Sequence, residues 1–315
     1  NNSVASASAV TVASGATFNV NGKTDTIGSL AGSGNVTLGT GGALTAGADN
    51  TTTAFTGIIS GTSASLTKTG TGTLALGGAN TFTGNVVVST GTLVAQAANV
   101  FNSTNNITVN TGSILNLNDF NQTIASITSN GTLALGAGTS DTLTLSSGSS
   151  TLGGSLTGAG TIVIGPGASL TLAANFNNPA VNFVLNGGSL FLNGTSDSFG
   201  SLSVTGNSIL DFGSSSASTL NSTSVSVSAG VALSVNNWIN LSDYFYTQNF
   251  VGATPDTRGT APETQITFAN YSNAWTTWQS FDHQITPVPE PATYGALFTG
   301  AALGLLLWRR RNKAT

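Results

Sequence analysis

The sequence predicts an all-β chain: a right-handed parallel β-helix (β-solenoid) of about eleven short rungs, an aromatic C-terminal cap and a single C-terminal transmembrane helix. Three observations carry this. A pattern of alternating aliphatics around a central glycine recurs through the first 235 residues. Helix signals are nearly missing, because Gly, Ser, Thr and Asn interrupt every window. The last stretch changes abruptly to a proline-bounded, uncharged apolar run.

The pattern is clearest in IVIGPGASLTL, residues 162–172, where aliphatics flank Gly167 at alternate positions. Alternation marks two short strands, each with one face buried. A glycine between them permits a bend at positive φ, which a branched residue resists. The same template places Gly15 in 10–20, Gly41 in 36–46, Gly112 in 107–117 and Gly230 in 225–235. In 202–212 the position holds Asn207, the residue type that next best tolerates the left-handed region. With looser copies near Leu66, Val86, Ile127, Leu143 and Phe183, the mean step is about 21.5 residues. Each copy has too little core to stand alone, so stacking must bury the inward Val, Leu, Ile and Phe as one column. Thr, Ser and Asn then face outward. Eleven rungs give a rod of about 50 Å. A β-roll or an antiparallel sandwich are the competing architectures.

Composition narrows the function. Only 6% of the 315 residues are charged, against roughly 25% in an average soluble domain. Upstream of Val288 the cations are Lys23, Lys68 and Arg258, facing ten acids. Such a surface cannot neutralise a phosphate backbone, so no nucleic-acid partner is expected. Regularly placed aliphatics argue against disorder. Cysteine is missing, which excludes disulfides, thiolate metal sites and cysteine nucleophiles. Methionine is missing too, so residue 1 is no initiator and the chain is expected to be a fragment or a processed form.

One copy is more specific. In LTKTGTGTLALGGANTFTGNVVVSTGTLVA (66–95), Lys68, Gly70, Gly72, Leu74, Leu76, Gly78, Asn80, Thr81, Phe82, Thr83, Gly84, Gly91 and Leu93 carry the pattern. This stretch resembles the autotransporter-associated β-strand repeat. The resemblance implies an extracellular β-helical stalk, with Lys68 a structural residue. It does not imply secretion through a barrel here: strands of about ten alternating residues are needed for one, and the chain ends in basic residues.

After Val235 the composition shifts. Residues 236–286 hold three of the four tryptophans and three of the four tyrosines. An open solenoid end exposes backbone and core and needs a cover. Trp238, Trp275 and Trp278 read as packing of such a cap, or as a platform for stacking sugars. The loop 252–263 reads as surface.

The remaining segment, 287–315, contains Pro289, Glu290 and Pro291, then seventeen uncharged residues, then Arg309, Arg310 and Arg311. The prolines disfavour helix upstream. A helix over 292–308 would span about 26 Å, enough for a thin bilayer. Ala292, Leu297, Phe298, Leu303, Leu305, Leu306 and Leu307 would be its membrane anchor, and Trp308 its interfacial residue. The arginines would hold the following end in the cytoplasm. This run resembles the PEP-CTERM sorting signal of Gram-negative bacteria. The resemblance implies export, recognition and cleavage by an exosortase-type sorting protease, and a lipid bilayer as partner before processing. It also implies a cell-surface or matrix destination with exopolysaccharide as a further partner. A plain tail anchor without processing is the competing reading.

No catalytic residue, metal site or cofactor motif emerges. Lyases and hydrolases on β-helices need converging carboxylates or calcium-binding acids. Here Asp25, Asp49, Asp119, Asp141, Asp197 and Asp211 fall one per rung or fewer. At the repeat step Asp119 could stack on Asp141, and Asp197 on Asp211. Solvated turn aspartates are the simpler reading. His283 reads as a linker histidine. The chain is therefore expected to be a non-enzymatic surface, adhesive or biofilm-matrix protein. The alternative is a carbohydrate-binding or carbohydrate-active β-helix, which three acids converging in one groove would favour.

Overall fold

The computed structural model describes residues 4–289 apart from 139, 215, 258, 272 and 273. Its strands stack in parallel, each on the one a full turn earlier. The longest sheet has twelve strands, from Thr24–Ile27 to Ile266–Phe268, and hence eleven turns between its edges. A second face is an eight-stranded sheet from Ala9–Val12 to Ser155–Thr157, and another begins at Gln122–Ile124 and runs to Tyr244–Phe250. The chain is thus an all-β parallel solenoid.

Two-residue alternation sets which side chains go inside. Along the long sheet Leu44, Leu66, Val86, Ile107 and Ile127 occupy one inward column. Further along, Leu170, Leu190, Leu210, Val235 and Phe268 continue in register above Ser150. All the aliphatic and aromatic members are buried. One residue along, Thr45, Thr67, Thr108, Thr128, Thr151 and Thr171 face out, with Val87 between Thr67 and Thr108. β-Branched side chains suit this pleated surface.

The corners need unusual backbone. Gly15, Gly41, Gly112, Gly167 and Gly230 have φ of +79°, +67°, +79°, +76° and +74°. Around each of these five a Cβ would find open space within 4 Å, so only the backbone conformation restricts the residue. Gly167→Ala should therefore cost only about 1 kcal/mol, the left-handed penalty alone. A urea titration checks this, and a loss several times larger would show a contact that the corner lacks.

Asn207 departs from the expectation. It has no positive φ, and its turn is made differently. Val204 pairs with Leu185 but Gly206 pairs with Asn186, so a bulge at this point absorbs the bend. The Asn207 side chain instead accepts a hydrogen bond from the Ala232 N–H of the next turn (2.9 Å). Asparagine does take the left-handed conformation elsewhere, at Asn21, Asn50, Asn99, Asn118, Asn193 and Asn237.

The parallel ladder continues beyond Val235. Tyr244–Phe250 pairs with Thr219–Val227, and Ile266–Phe268 pairs with Leu233–Asn236. Trp238 is buried between Phe212 and Phe268, with ring centroids 4.9 and 5.0 Å away. An antiparallel hairpin, Ala274–Trp278 with Ile285–Pro289, lies against this last turn. Thr276 Oγ1 donates to the Ile266 carbonyl (2.6 Å) and Trp278 Nε1 to that of Thr247 (3.2 Å). An antiparallel bridge joins Tyr246 to Gln284. The hairpin thereby occupies backbone groups that a bare edge would present to another chain. Trp275 is 40% exposed and makes no core.

Among the described residues no helix is long and apolar enough to cross a membrane. The expected helix 292–308, with Glu290, Pro291 and Arg309–Arg311, lies outside the described residues; of the motif only the backbone of Pro289 falls within them.

Candidate binding groove and the central repeat

The stretch 66–95 forms a rung bonded tightly to its neighbours. Lys68 takes an inward position between Ala46 and Val88, where most turns carry an aliphatic. Its side chain is buried, and Nζ donates to the carbonyls of Thr69 (2.6 Å), Gly70 (2.8 Å) and Thr90 (3.3 Å). Burial pushes the ammonium pKa below the usual lysine range. Space for it comes from a glycine column. A Cβ on Gly70 would lie 1.9 Å from the Gly47 carbonyl oxygen, and one on Gly91 would lie 2.3 Å from that of Gly70. Gly72, Gly78 and Gly84 approach carbonyls of the preceding turn equally closely. Asn80 is buried and links three turns, accepting from Ile59 N–H and donating to the Val100 carbonyl, both at 2.8 Å. Every role here is structural: the repeat residues pack turn on turn.

A concave surface lies near the far end of the rod. There the long strands Ser196–Gly206, Thr219–Val227 and Tyr244–Phe250 pair side by side and line a groove of about 530 Å³. Register places Ser198, Asn221 and Tyr246 in one row across the turns, and Phe199, Ser222 and Thr247 in the next. The Tyr246 ring stacks on Tyr244 at 5.5 Å and 7°. Hairpin-turn residues Asp282 and His283 also line it. The His283 carbonyl accepts from Thr247 N–H (3.0 Å), and its ring lies against Trp278 (6.0 Å). Asp282 Oδ1 accepts from Gln284 N–H (3.0 Å). Burial, and then the nearby Tyr244 and Asp282, push the Tyr246 phenol pKa above its usual value, so it remains an O–H donor at neutral pH.

His283 thus sits at a built surface, and the linker reading does not hold. Tyr246 was not distinguishable in the sequence from the other aromatics near the end. A sheet row is visible only once the turn lengths are known.

The aspartates fall into two situations. Asp119 and Asp141 do come close: Asp119 Oδ1 accepts from Gly138 N–H (2.6 Å) in the following turn, and Asp141 ends that connection. Burial, then the charge of Asp119, raises the Asp141 pKa. Asp141 is buried, not solvated, and its carboxylate has no hydrogen-bond partner among the described residues. Asp197 and Asp211 do not stack. They lie on different sheets, Asp197 pairing with Leu220 and Asp211 with Asn236. Among the described residues no three His, Cys, Asp or Glu converge as a metal-binding group.

These features define a class: an all-β parallel solenoid rod with a polar, aromatic-floored groove near one end. Residues 66–95 match the Passenger-associated-transport-repeat, and residues 287–311 match the PEP-CTERM protein-sorting motif. The sorting motif implies export, with membrane-associated sorting by exosortase-type machinery. No curated protein and no solved structure matches the chain.

Proposed function

We propose that this chain is a non-enzymatic structural or adhesive rod of the bacterial surface or extracellular matrix, delivered through its C-terminal signal and cleaved there by an exosortase. The observation that carries this is the placement of the sorting motif. The match begins at residue 287, inside the hairpin strand Ile285–Pro289, the last described element of the rod. Cleavage beyond that strand leaves every described element of the solenoid in place. The apolar run 292–308 then acts as an address and a temporary anchor in the bilayer.

Mass spectrometry of material released from cells expressing the full-length protein tests the processing. Mature chains should end upstream of Arg309. Recovery of mature chains that keep Arg309–Arg311 would leave a plain tail anchor and remove the exosortase step. Changing Pro289 and Glu290 together should leave the chain membrane-held and unprocessed.

A further inference from the structure

We propose that the groove floored by Tyr246 binds an uncharged glycan chain lying along the rod axis. This deepens the surface-rod reading and rests on it for its biological setting. The binding itself is a property of the folded chain.

The lining argues for the ligand class. Among the described residues the groove's apolar lining is Pro179 with the rings of Phe199 and Tyr246, and no lysine or arginine lines it. It therefore lacks the cations that hold phosphate or sulfate. It offers hydroxyls and amides: Ser198, Asn221, Thr223 and Gln248. These recur because the strands are in register. Ser198 pairs with Asn221, which pairs with Tyr246, giving one polar group per turn at about 4.8 Å. A polymer of hydroxylated rings can meet such a row repeatedly. A compact ligand would use only one step of it.

Two features set orientation. Tyr246 is held flat by stacking on Tyr244, so its ring is an immobile apolar surface among donors and acceptors. A pyranose ring has the same division, with C–H faces and an O–H rim, so its face packs on the phenol while its rim meets the hydroxyls and amides. Asp282 lines the groove with Oδ1 fixed by Gln284 N–H, and a carboxylate so placed can accept from sugar hydroxyls. Among the described lining residues this single carboxylate has no lysine or arginine beside it, which also disfavours a polyanion. The volume of about 530 Å³ lies within the range of small-ligand sites.

The test is affinity electrophoresis of the purified full-length chain in gels containing laminarin, dextran, galactomannan or polygalacturonate. At least one of the three neutral polymers should retard the chain, and polygalacturonate should not. Tyr246→Ala should weaken that retardation about tenfold or more. Thr223 and Gln248 are exposed, so the double change Thr223→Ala, Gln248→Ala cannot unfold the rod and should also weaken it. Thr45→Ala, on another face, should change nothing. Lack of retardation by all three neutral polymers overturns the proposal. So does retardation that survives both groove variants, or a preference for polygalacturonate. A chain found unprocessed in cells would sink the sorting step and leave the groove result untouched.

Discussion

Gly70→Ala should destabilise the rod by about 3–5 kcal/mol, several times the effect of Gly167→Ala. The two glycines make a controlled pair. Their φ values are +69° and +76°, so alanine meets the same left-handed penalty at each. They differ in surroundings. Nothing lies within 4 Å of a Cβ at Gly167, whereas at Gly70 one would sit 1.9 Å from the Gly47 carbonyl oxygen and 2.9 Å from Asn50 Oδ1. The first of these atoms is backbone and can move only if the rung spacing opens. If Gly70 itself shifts away from Gly47 instead, its carbonyl is strained from Lys68 Nζ, one of the three acceptors of a buried ammonium. Urea titrations of both variants measure the difference. If Gly70→Ala lies within about 1 kcal/mol of Gly167→Ala, close backbone approach is not what the repeat glycines are for.

Asp197→Asn should stabilise the protein at neutral pH, by an amount that vanishes in acid. Asp197 is buried, and burial raises its pKa from 3.8 to about 6 against the opposing hydrogen bonds from Thr195 and Phe176. The hydrogen bonding agrees with a protonated acid. Thr195 has one hydroxyl hydrogen but two acceptors, the Leu192 carbonyl and Asp197 Oδ2 at 2.6 Å. If Asp197 carries a proton, it donates to Thr195 Oγ1, and Thr195 donates to Leu192. Oδ1 still accepts from Phe176 N–H (2.9 Å). An asparagine amide reproduces all three bonds without a charge.

The folded pKa of Asp197 is raised above the unfolded value, so the folded state holds the proton more tightly. The associated stability is fully present below pH 3.8 and is lost as pH rises through about 6. The loss at neutral pH is roughly 3 kcal/mol, taking 1.36 kcal/mol per pKa unit. The melting temperature of Asp197→Asn should match the parent near pH 3.5 and exceed it above pH 7. Taking the difference between the two proteins removes the titration of the other acids. A variant less stable than the parent at pH 7.5 would mean that Asp197 is ionised and favourably held.

Much of this protein was legible because a solenoid repeats its local code. The alternation in 162–172 fixes which residues of that segment face in, and the recurrence of that segment implies stacking. Tertiary contact then follows from local pattern, as the columns through Leu66 and Val86 illustrate. The sorting segment was equally plain, since its distinction is composition: prolines, seventeen uncharged residues and an arginine cluster. Asn207 departs from the template for a related reason. The template places a residue at a corner but does not say whether a left-handed turn or a bulge makes it. That depends on how the strand meets Leu185 and Asn186 a turn earlier.

The sequence alone determined the period, the inward and outward faces and the terminal address. Each is a property of short windows, where strand alternation or hydropathy acts on neighbouring residues. Only the tertiary structure decided that Gly70 touches carbonyl while Gly167 faces open space, although both occupy similar Thr- or Pro-Gly turns. It also decided that Lys68 lies inside a nest of carbonyls and that His283 arrives beside Tyr246, 37 residues earlier in the chain. These depend on connection lengths between turns, because each extra corner residue changes which atoms of the next turn lie above it. Alternation within a strand carries no record of that offset.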